Sequence, residues 1–324
     1  MVDGSQGHRT GVTRQVARPR GRPRLRLLSV SLLVVGLAVT TVAAASAQSQ
    51  RASAQGQWIL FTGRSGYGNE QIYRIKPSGA GLKQLTRGAY PANAPAFSPD
   101  GKRIVFAELG AGIFSMNVDG KNVRRLTTNG RDRLPTWSPN GKQIAFVRPT
   151  AAGWSLYVMS ATGAGERRLR QAPSAGRPTW IAKGLLIPSD GDVARINPRT
   201  GRIFQWLGVQ LDALAGTDST SFSPDGSTLS FVGAAKLDLG DKECGEGVPC
   251  PRFGLYVEQV GKGKPPRLLT RNAGAASFSP DGKRLVFVAQ NRIVLWVLQS
   301  GTSTMIRTGK VTPTVGTPPV WQPR

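Results

Sequence analysis

The stretch AFSPDGKRIVF, Ala96 to Phe106, sets a serine, an aspartate and a lysine at alternate positions, which could be read as chemistry or as a turn joining two strands. What recurs around it decides the matter. An aromatic residue followed by a turn returns as WSPNGK at Trp137, WIAKG at Trp180, FSPDGS at Phe222, FSPDGK at Phe278 and WQPR at Trp321, at spacings of 40, 43, 42, 56 and 43 residues. In the second of these units Asn140 replaces the aspartate, which a turn tolerates and a catalytic acid does not. Asp suits a turn because its short side chain accepts from nearby backbone N–H groups, and Gly suits a following position that needs positive φ. Asp100, Gly101, Asn140, Gly141, Asp225, Gly226, Asp281 and Gly282 are therefore read as structural turn positions.

Seven residues beyond the aromatic comes a short apolar strand: Ile104 to Phe106, Ile144 to Phe146, Leu229 to Phe231 and Leu285 to Phe287, with Leu185 to Ile187 in the degenerate unit. A second strand follows (Ile113 to Met116, Leu156 to Met159, Val193 to Ile196, Leu255 to Val257, Val294 to Val297), then a Gly-containing turn and a shorter closing strand. Four short strands in a period of about 42 residues, with no helical pattern, identify a β-propeller blade. The first three strands, 58–62, 72–75 and 82–86, lack an aromatic turn before them, and the aromatic turn at Trp321 lacks strands after it. Each end supplies what the other lacks. The expected fold is all-β: a six-bladed propeller of four-stranded blades over 57–324, its ring closed by pairing the terminal strands so that no edge is left open.

The combination of FSPDGK-x-IVF, IYxM-type second strands and the RRLT closing strand resembles the TolB-type propeller repeat, a WD-repeat-like module of bacterial envelope proteins. The resemblance covers about residues 56–324, and four units carry its Ser-Pro-Asp/Asn-Gly turn. It implies a binding or scaffold role in the envelope. TolB itself carries an additional α/β domain ahead of its propeller, whereas here residues 48–56 form a short linker. The same propeller type gates substrates in prolyl-oligopeptidase-like enzymes, but no G-x-S-x-G occurs in the chain.

The N-terminal region differs in kind. Residues 1–26 carry seven Arg and one Asp, and the run from Leu27 to Ala45 is almost wholly apolar. This reads as a secretory signal, with small-x-small cleavage sites at Ala45-Ser46-Ala47 and Ala52-Ser53-Ala54. The alternative is an uncleaved membrane tether through residues 27–45, its Arg-rich flank held inside. Beyond residue 47 the chain keeps 36 basic and 17 acidic residues, a net charge near +19. Such a surplus favours anionic partners. For an exported protein these are envelope proteins or anionic envelope polymers, including phospholipid headgroups, rather than nucleic acid; a monomer is expected. Cys244 and Cys250 lie in a segment that meets an oxidising compartment after export and are expected to form a local disulfide.

The chain offers few residues for catalytic chemistry. The only histidine is His8, which excludes Ser-His-Asp and Cys-His systems from the exported part and argues against a zinc site. No Gly-Lys dipeptide is followed by Ser or Thr, so there is no P-loop. Asn117 to Asn122, NVDGKN, lacks the spaced acids of a calcium loop and reads as a hairpin turn. No cofactor or metal is expected. Paired carboxylates remain the one catalytic option, as in glycosidases.

Position within the ring ranks the charged residues. Loops from second to third strand, and from blade to blade, share one face of a propeller, and the Ser-Pro-Asp-Gly turns lie on the other. The first face should carry Glu108, Asp132, Asp190, Asp192, Asp212 and Asp218 together with a more numerous basic set, Arg64, Arg87, Arg131, Arg133, Arg148, Arg177, Arg271 and Arg292. Arginines around a funnel can grip carboxylates or phosphates bidentately; solvated loop charge is the plain alternative. The one departure from repeat length is the insertion 233–253, whose Asp238, Asp241, Glu243 and Glu246 surround the cysteines. A pinned acidic loop on a rigid scaffold is a candidate recognition element, and a tolerated insertion without a role is the competing reading. The expected function is an exported, non-catalytic binding or scaffold propeller. The alternatives are a carboxylate-dependent enzyme acting on an anionic glycan, and a membrane-tethered sensor or assembly subunit.

Overall fold

Continuous apolar runs in a sheet mean cover on both faces, and the second strand of each repeat is buried in that manner: in Arg103–Glu108 the four central residues are buried, and only the ends reach partial exposure. A computed structural model describes residues 57–172, 176–181, 184–189, 192–209, 220–233 and 254–323. The signal or tether region, the linker 48–56, Cys244, Cys250, Asp238, Asp241, Glu243, Glu246, Asp190, Asp212 and Asp218 lie outside the described residues.

Six antiparallel sheets, one per repeat, form the blades of a six-bladed propeller. Blade 1 contains β1 (Ile59–Ser65), β2 (Gln71–Ile75) and β3 (Lys83–Gln84), and blade 2 contains β4 (Ala92–Phe97), β5 (Arg103–Glu108), β6 (Gly112–Asn117) and β7 (Arg124–Arg125). Blade 3 follows with β8 (Arg133–Trp137), β9 (Gln143–Thr150), β10 (Gly153–Ser160) and β11 (Arg167–Ala172), and blade 4 with β12 (Thr179–Ile181), β13 (Gly184–Ser189), β14 (Asp192–Ile196) and β15 (Ile203–Trp206). Blade 5 holds β16 (Ser221–Phe222), β17 (Thr228–Gly233), β18 (Gly254–Gln259) and β19 (Arg267–Arg271); blade 6 holds β20 (Ala273–Phe278), β21 (Arg284–Ala289), β22 (Arg292–Val297) and β23 (Ser303–Ile306). The last two strands are β24 (Val311–Pro313) and β25 (Val320–Trp321).

The core sits between blades. Side chains alternate across a strand, so Ile59 and Phe61 of β1 pack with Val286, Ile293 and Leu295 of blade 6, while Leu60 between them packs with Phe97, Ile104 and Phe106 of blade 2. Within four blades the second-strand aromatic stacks on its register partner in the third strand: Phe61 on Tyr73, Phe106 on Phe114, Phe146 on Tyr157 and Phe231 on Tyr256, with centroids 5.5 to 5.7 Å apart. These offset pairs add to the burial of each ring.

Both termini complete blade 1, but the closing strand is interrupted. β24 and β25 each pair with β1, matching Gly63 with Pro313 and Leu60 with Val320, and residues 314–319 leave the ladder between them. Pro313, Pro318 and Pro319 have no N–H to give a continuous ladder. Thr314 N–H to Thr62 O at 2.9 Å and Thr317 Oγ1 to Thr62 Oγ1 at 2.8 Å bridge the gap.

The Ser-Pro-Asp-Gly turns repeat to within tenths of an ångström. Ser98 Oγ donates to Asp100 Oδ1 at 2.5 Å and accepts from Arg103 N–H at 2.9 Å, while Lys102 N–H donates to the same carboxylate oxygen at 3.1 Å. In blade 3 Asn140 Oδ1 takes both roles, accepting from Ser138 Oγ at 2.8 Å and Lys142 N–H at 3.0 Å. The glycines that follow have φ of 66° at Gly101 and 67° at Gly141, the left-handed region open to a residue without Cβ. Hydrogen bonding from Ser98 Oγ, then from the Lys102 amide, holds the Asp100 carboxyl below its usual range, and Ser223 with Ser227 does the same for Asp225. Asn117 to Asn122 is also a hairpin turn, closed by Asn117 N–H to Lys121 O at 2.8 Å.

Candidate binding rim

The two loop families of the ring's first face meet in blade 2, where Gly110 N–H of the β5–β6 loop donates to Gly130 O of the blade-to-blade loop at 3.1 Å. On the opposite face, Val118 N–H beyond β6 donates to Lys102 O beside the Ser-Pro-Asp-Gly turn at 2.9 Å. The arginines assigned to the first face divide into solvent-facing and committed groups. Arg87, Arg131, Arg271 and Arg292 are exposed. Arg64 is exposed as well but pairs with Glu70 at 3.3 Å. Half-buried Arg133 donates through Nη1 to the backbone carbonyls of Gly130 at 2.9 Å and Asp132 at 2.8 Å.

Arg148 is the most engaged. Its Nε and Nη2 bond the two carboxylate oxygens of Asp132 at 2.5 and 2.9 Å, and Nη1 reaches Glu166 at 2.6 Å. The guanidinium also lies 4.5 Å from the Tyr157 ring centroid. Hydrogen bonding to Asp132, ahead of that to Glu166, raises the Arg148 pKa above the usual guanidinium range despite burial. Asp132 has no exposed side-chain surface, so this pair holds the entry to blade 3 and offers little to a ligand.

Arg177 occupies a different kind of place. It is 8% exposed, precedes β12 of blade 4, and donates toward Pro95 O of β4 in blade 2 at 3.5 Å. Blades 2 and 4 are not neighbours, so the contact runs through the central channel. Ala94, Leu134 and Arg177 each stand three residues before the repeat aromatic and one before a proline, and Ala94 and Leu134 have φ of 52° and 55° where the innermost strands bulge. The sequence carried this signal as Ala94-Pro95, Leu134-Pro135 and Arg177-Pro178; loop position alone placed Arg177 on an open rim, whereas its side chain is buried and directed toward Pro95 O.

Among the described acids of this face, Asp192 is engaged as Asp132 is. Asp192 accepts from Val193 N–H at 2.6 Å and Val209 N–H at 2.8 Å through Oδ1, and from Gly208 N–H at 3.1 Å through Oδ2. Glu108 is half-buried beside Gly88. Among the described residues no group of three or more His, Cys, Asp or Glu could hold a metal ion. Glu258, on β18, has its carboxyl pushed up by burial, with the charge of Asp192 adding to the shift. β17 ends at Gly233 directly opposite Gly254 of β18, so the insertion departs from a second-to-third strand connection, the family that lies on the rim.

Two further constellations escaped the repeat reading. Arg103 at the start of β5 stacks on Trp137 of the next blade at 4.6 Å, and Arg284 at the start of β21 stacks on Trp321 at 5.1 Å. The GKR tripeptides were visible, but their partner is a turn aromatic one repeat later. The second is a group of arginines on β11 of blade 3 and in the β14–β15 turn of blade 4.

Residues 39–183 match the family model described as TolB beta propeller domain. Over those residues the chain resembles the TolB-type propeller repeat, within a ring of six blades. An uncharacterised protein of Agrobacterium fabrum is 33% identical over 111 residues, covering 30% of this chain and 38% of that protein. The Tol-Pal system protein TolB of Gluconobacter oxydans is 34% identical over 103 residues, covering 29% of this chain and 23% of that one. A protein named as an uncharacterized peptidase in Bacillus subtilis is 26% identical over 210 residues, 60% of this chain and 29% of that protein. The matches thus span well under half the length of these curated relatives. Among solved structures, TolB from Acinetobacter baumannii superposes with a TM-score of 0.62 at 17% identity, covering 84% of this chain and 68% of that one, a likeness of fold.

Proposed function

We propose that this chain is an exported, non-catalytic interaction propeller of the bacterial envelope, acting in the periplasm, at the cell surface or outside the cell, with the rim of Arg87, Arg131, Arg271 and Arg292 as its contact face for envelope proteins or anionic polymers. The observation that carries the reading is the asymmetry of the rim: these four arginines face solvent, while Asp132 and Asp192 are spent on Arg148 and on backbone amides. A face with exposed guanidinium groups, of which only Arg292 donates to a side chain among the described residues, Met305 Sδ, and with engaged carboxylates at Asp132 and Asp192 suits the recognition of anionic groups. The TolB-type repeats and the apolar N-terminal run, read as a signal or as a tether through 27–45, support the compartment. The acidic insertion with Asp238, Asp241, Glu243 and Glu246, pinned by a Cys244–Cys250 bridge, is the second contact element of this proposal.

Crosslinking in intact envelope followed by affinity capture at two salt concentrations tests it. A variant with Arg87, Arg131, Arg271 and Arg292 all changed to Gln should lose the partners that the parent chain captures at low salt; retention of all of them sinks the rim as the contact face. A second reading, a carboxylate-dependent enzyme acting on an anionic glycan, draws on Glu258, a half-buried carboxyl on β18 opposite Leu229 whose pKa is raised by burial. Glycan turnover abolished by Glu258→Gln would establish it, and turnover independent of Glu258 would remove it.

A further inference from the structure

The outer strand of a propeller blade is an unpaired edge, and proteins protect such edges with charge. Here the outer strand of blade 3 is RRLRQA, Arg167–Ala172, with Arg167 and Arg168 exposed. It meets the β14–β15 turn of blade 4: Arg167 Nη2 donates to Pro198 O at 2.8 Å, and Arg170 Nη1 donates to Gly201 O at 3.3 Å. That turn adds exposed Arg199 and Arg202. The chain then enters β15, the outer strand of blade 4, which reads IFQW and carries no charge. Phe204 is 55% and Trp206 47% exposed. From Arg167 to Trp206 the acids among the described residues reduce to Asp192, held by backbone amides, and the neighbouring Glu166 belongs to Arg148.

This wall combines exposed guanidinium groups, flanked by the anchored Arg167 and Arg170, with two large rings on one outer strand, Phe204 with the Arg195 guanidinium 5.9 Å from its centroid and Trp206 in register with Ala194. Arginine binds phosphate oxygens bidentately, and aromatic side chains favour the headgroup level of a bilayer. A free anionic polymer would use the arginines but gains little from an exposed phenylalanine. The geometry points to the outer wall of blades 3 and 4 as a docking surface for an anionic phospholipid bilayer, with Arg168, Arg199 and Arg202 at the headgroup phosphates and Phe204 and Trp206 at the interface. The surface is separate from the rim and does not depend on the rim reading.

Vesicle flotation with the full chain tests this, comparing phosphatidylcholine vesicles with vesicles containing one part in three of phosphatidylglycerol. Residues 1–47 contribute equally in every variant, so the comparison is between variants. Arg168, Arg199 and Arg202 make no side-chain hydrogen bond among the described residues, and Arg168→Gln/Arg199→Gln/Arg202→Gln removes three charges without cutting an inter-blade bond. At about fivefold per arginine near an anionic surface, affinity for the anionic vesicles should fall on the order of 100-fold. A charge-matched variant on the blade 5 wall, Lys262→Gln/Lys264→Gln/Arg267→Gln, should change it by less than about threefold, because a docked face is local whereas screened distant charges contribute little. Phe204→Ser/Trp206→Ser should weaken the binding that persists at 0.5 M salt. Equal losses in the two charge variants, or none in either, would overturn the proposal. So would vesicle binding indifferent to Phe204 and Trp206 together with equal capture on an immobilised polyglycerol phosphate, which would assign the wall to a soluble polymer. Far-ultraviolet circular dichroism confirms folding, and the double variant Arg199→Gln/Arg202→Gln, confined to an exposed turn, provides the same readout at about 25-fold if the triple variant is impaired.

Discussion

Removing residues 316–324 should unfold more than the last strand. The deletion takes away Trp321, which is 5% exposed and lies in the cluster shared by blades 1 and 6. Truncating a buried tryptophan of this kind costs about 3–5 kcal/mol. It also removes Gln322, which ties three places together: its N–H donates to Trp58 O at 2.8 Å, its Oε1 accepts from Trp58 N–H at 3.1 Å, its carbonyl accepts from Gln57 Nε2 at 3.1 Å, and its Nε2 donates to Gly101 O of blade 2 at 3.0 Å. At about 1 kcal/mol each these four bonds add about 4 kcal/mol. A loss of about 7–9 kcal/mol is comparable with the whole stability of a typical domain, about 5–15 kcal/mol. Calorimetry should therefore show the transition of the deletion variant lowered by 10 °C or more at about 2–4 °C per kcal/mol, and hydrogen exchange should show lost protection in β1 and also in β21 and β22 across the blade 1–6 interface. An unchanged melting temperature, or lost protection confined to β1, would refute closure as a source of ring stability.

Other predictions concern single sites. Gly101→Val places Cβ 3.0 Å from Gln322 Nε2 at a φ of 66°, and should cost about 1–3 kcal/mol in urea unfolding from the backbone strain alone. Arg148→Leu leaves the Asp132 carboxylate buried without its partner and should cost about 3–5 kcal/mol; adding Asp132→Asn should recover part of that loss, and a double variant no better than the single would exclude a burial penalty as the cause. Asp100 and Asp225 have folded-state pKa values below the ordinary 3.8, so their contribution to stability is fully present above the unfolded-state value and fades as pH falls through the lower folded-state values. Urea titrations at pH 5 and pH 3 should show the parent losing more stability on acidification than Asp100→Asn/Asp225→Asn, in which the amide stands where Asn140 already stands in blade 3.

The repeat itself was legible in the sequence because its determinants are local. A turn that needs Ser to cap, Asp or Asn to accept from two residues on, and Gly at positive φ leaves its signature in consecutive positions, and the buried second strand follows at a constant offset. The blade count and the sharing of blade 1 between the termini followed from counting units, because an open ring would leave strand edges unpaired. The rim was legible only in part. Loop order along the chain says which face a residue is on; it does not say which way a side chain turns, and so Arg87 and Arg131 face solvent, Arg148 folds onto Asp132 and Tyr157, and Arg177 enters the channel.

What the sequence determined by itself is what depends on neighbours within one repeat: the turn type, the constant offset of the second strand, and the apolar run that gives that strand two buried faces. What only the tertiary structure decided is everything that depends on the next blade. Arg103 lies on Trp137 and Arg284 on Trp321 because rotation about the ring axis brings the start of one second strand against the turn aromatic of the next unit. The basic wall of blades 3 and 4 arises in the same way, from Arg167 and Arg170 reaching carbonyls at Pro198 and Gly201, 31 residues further along the chain. Contacts at that separation are set by ring geometry, which local propensity does not encode.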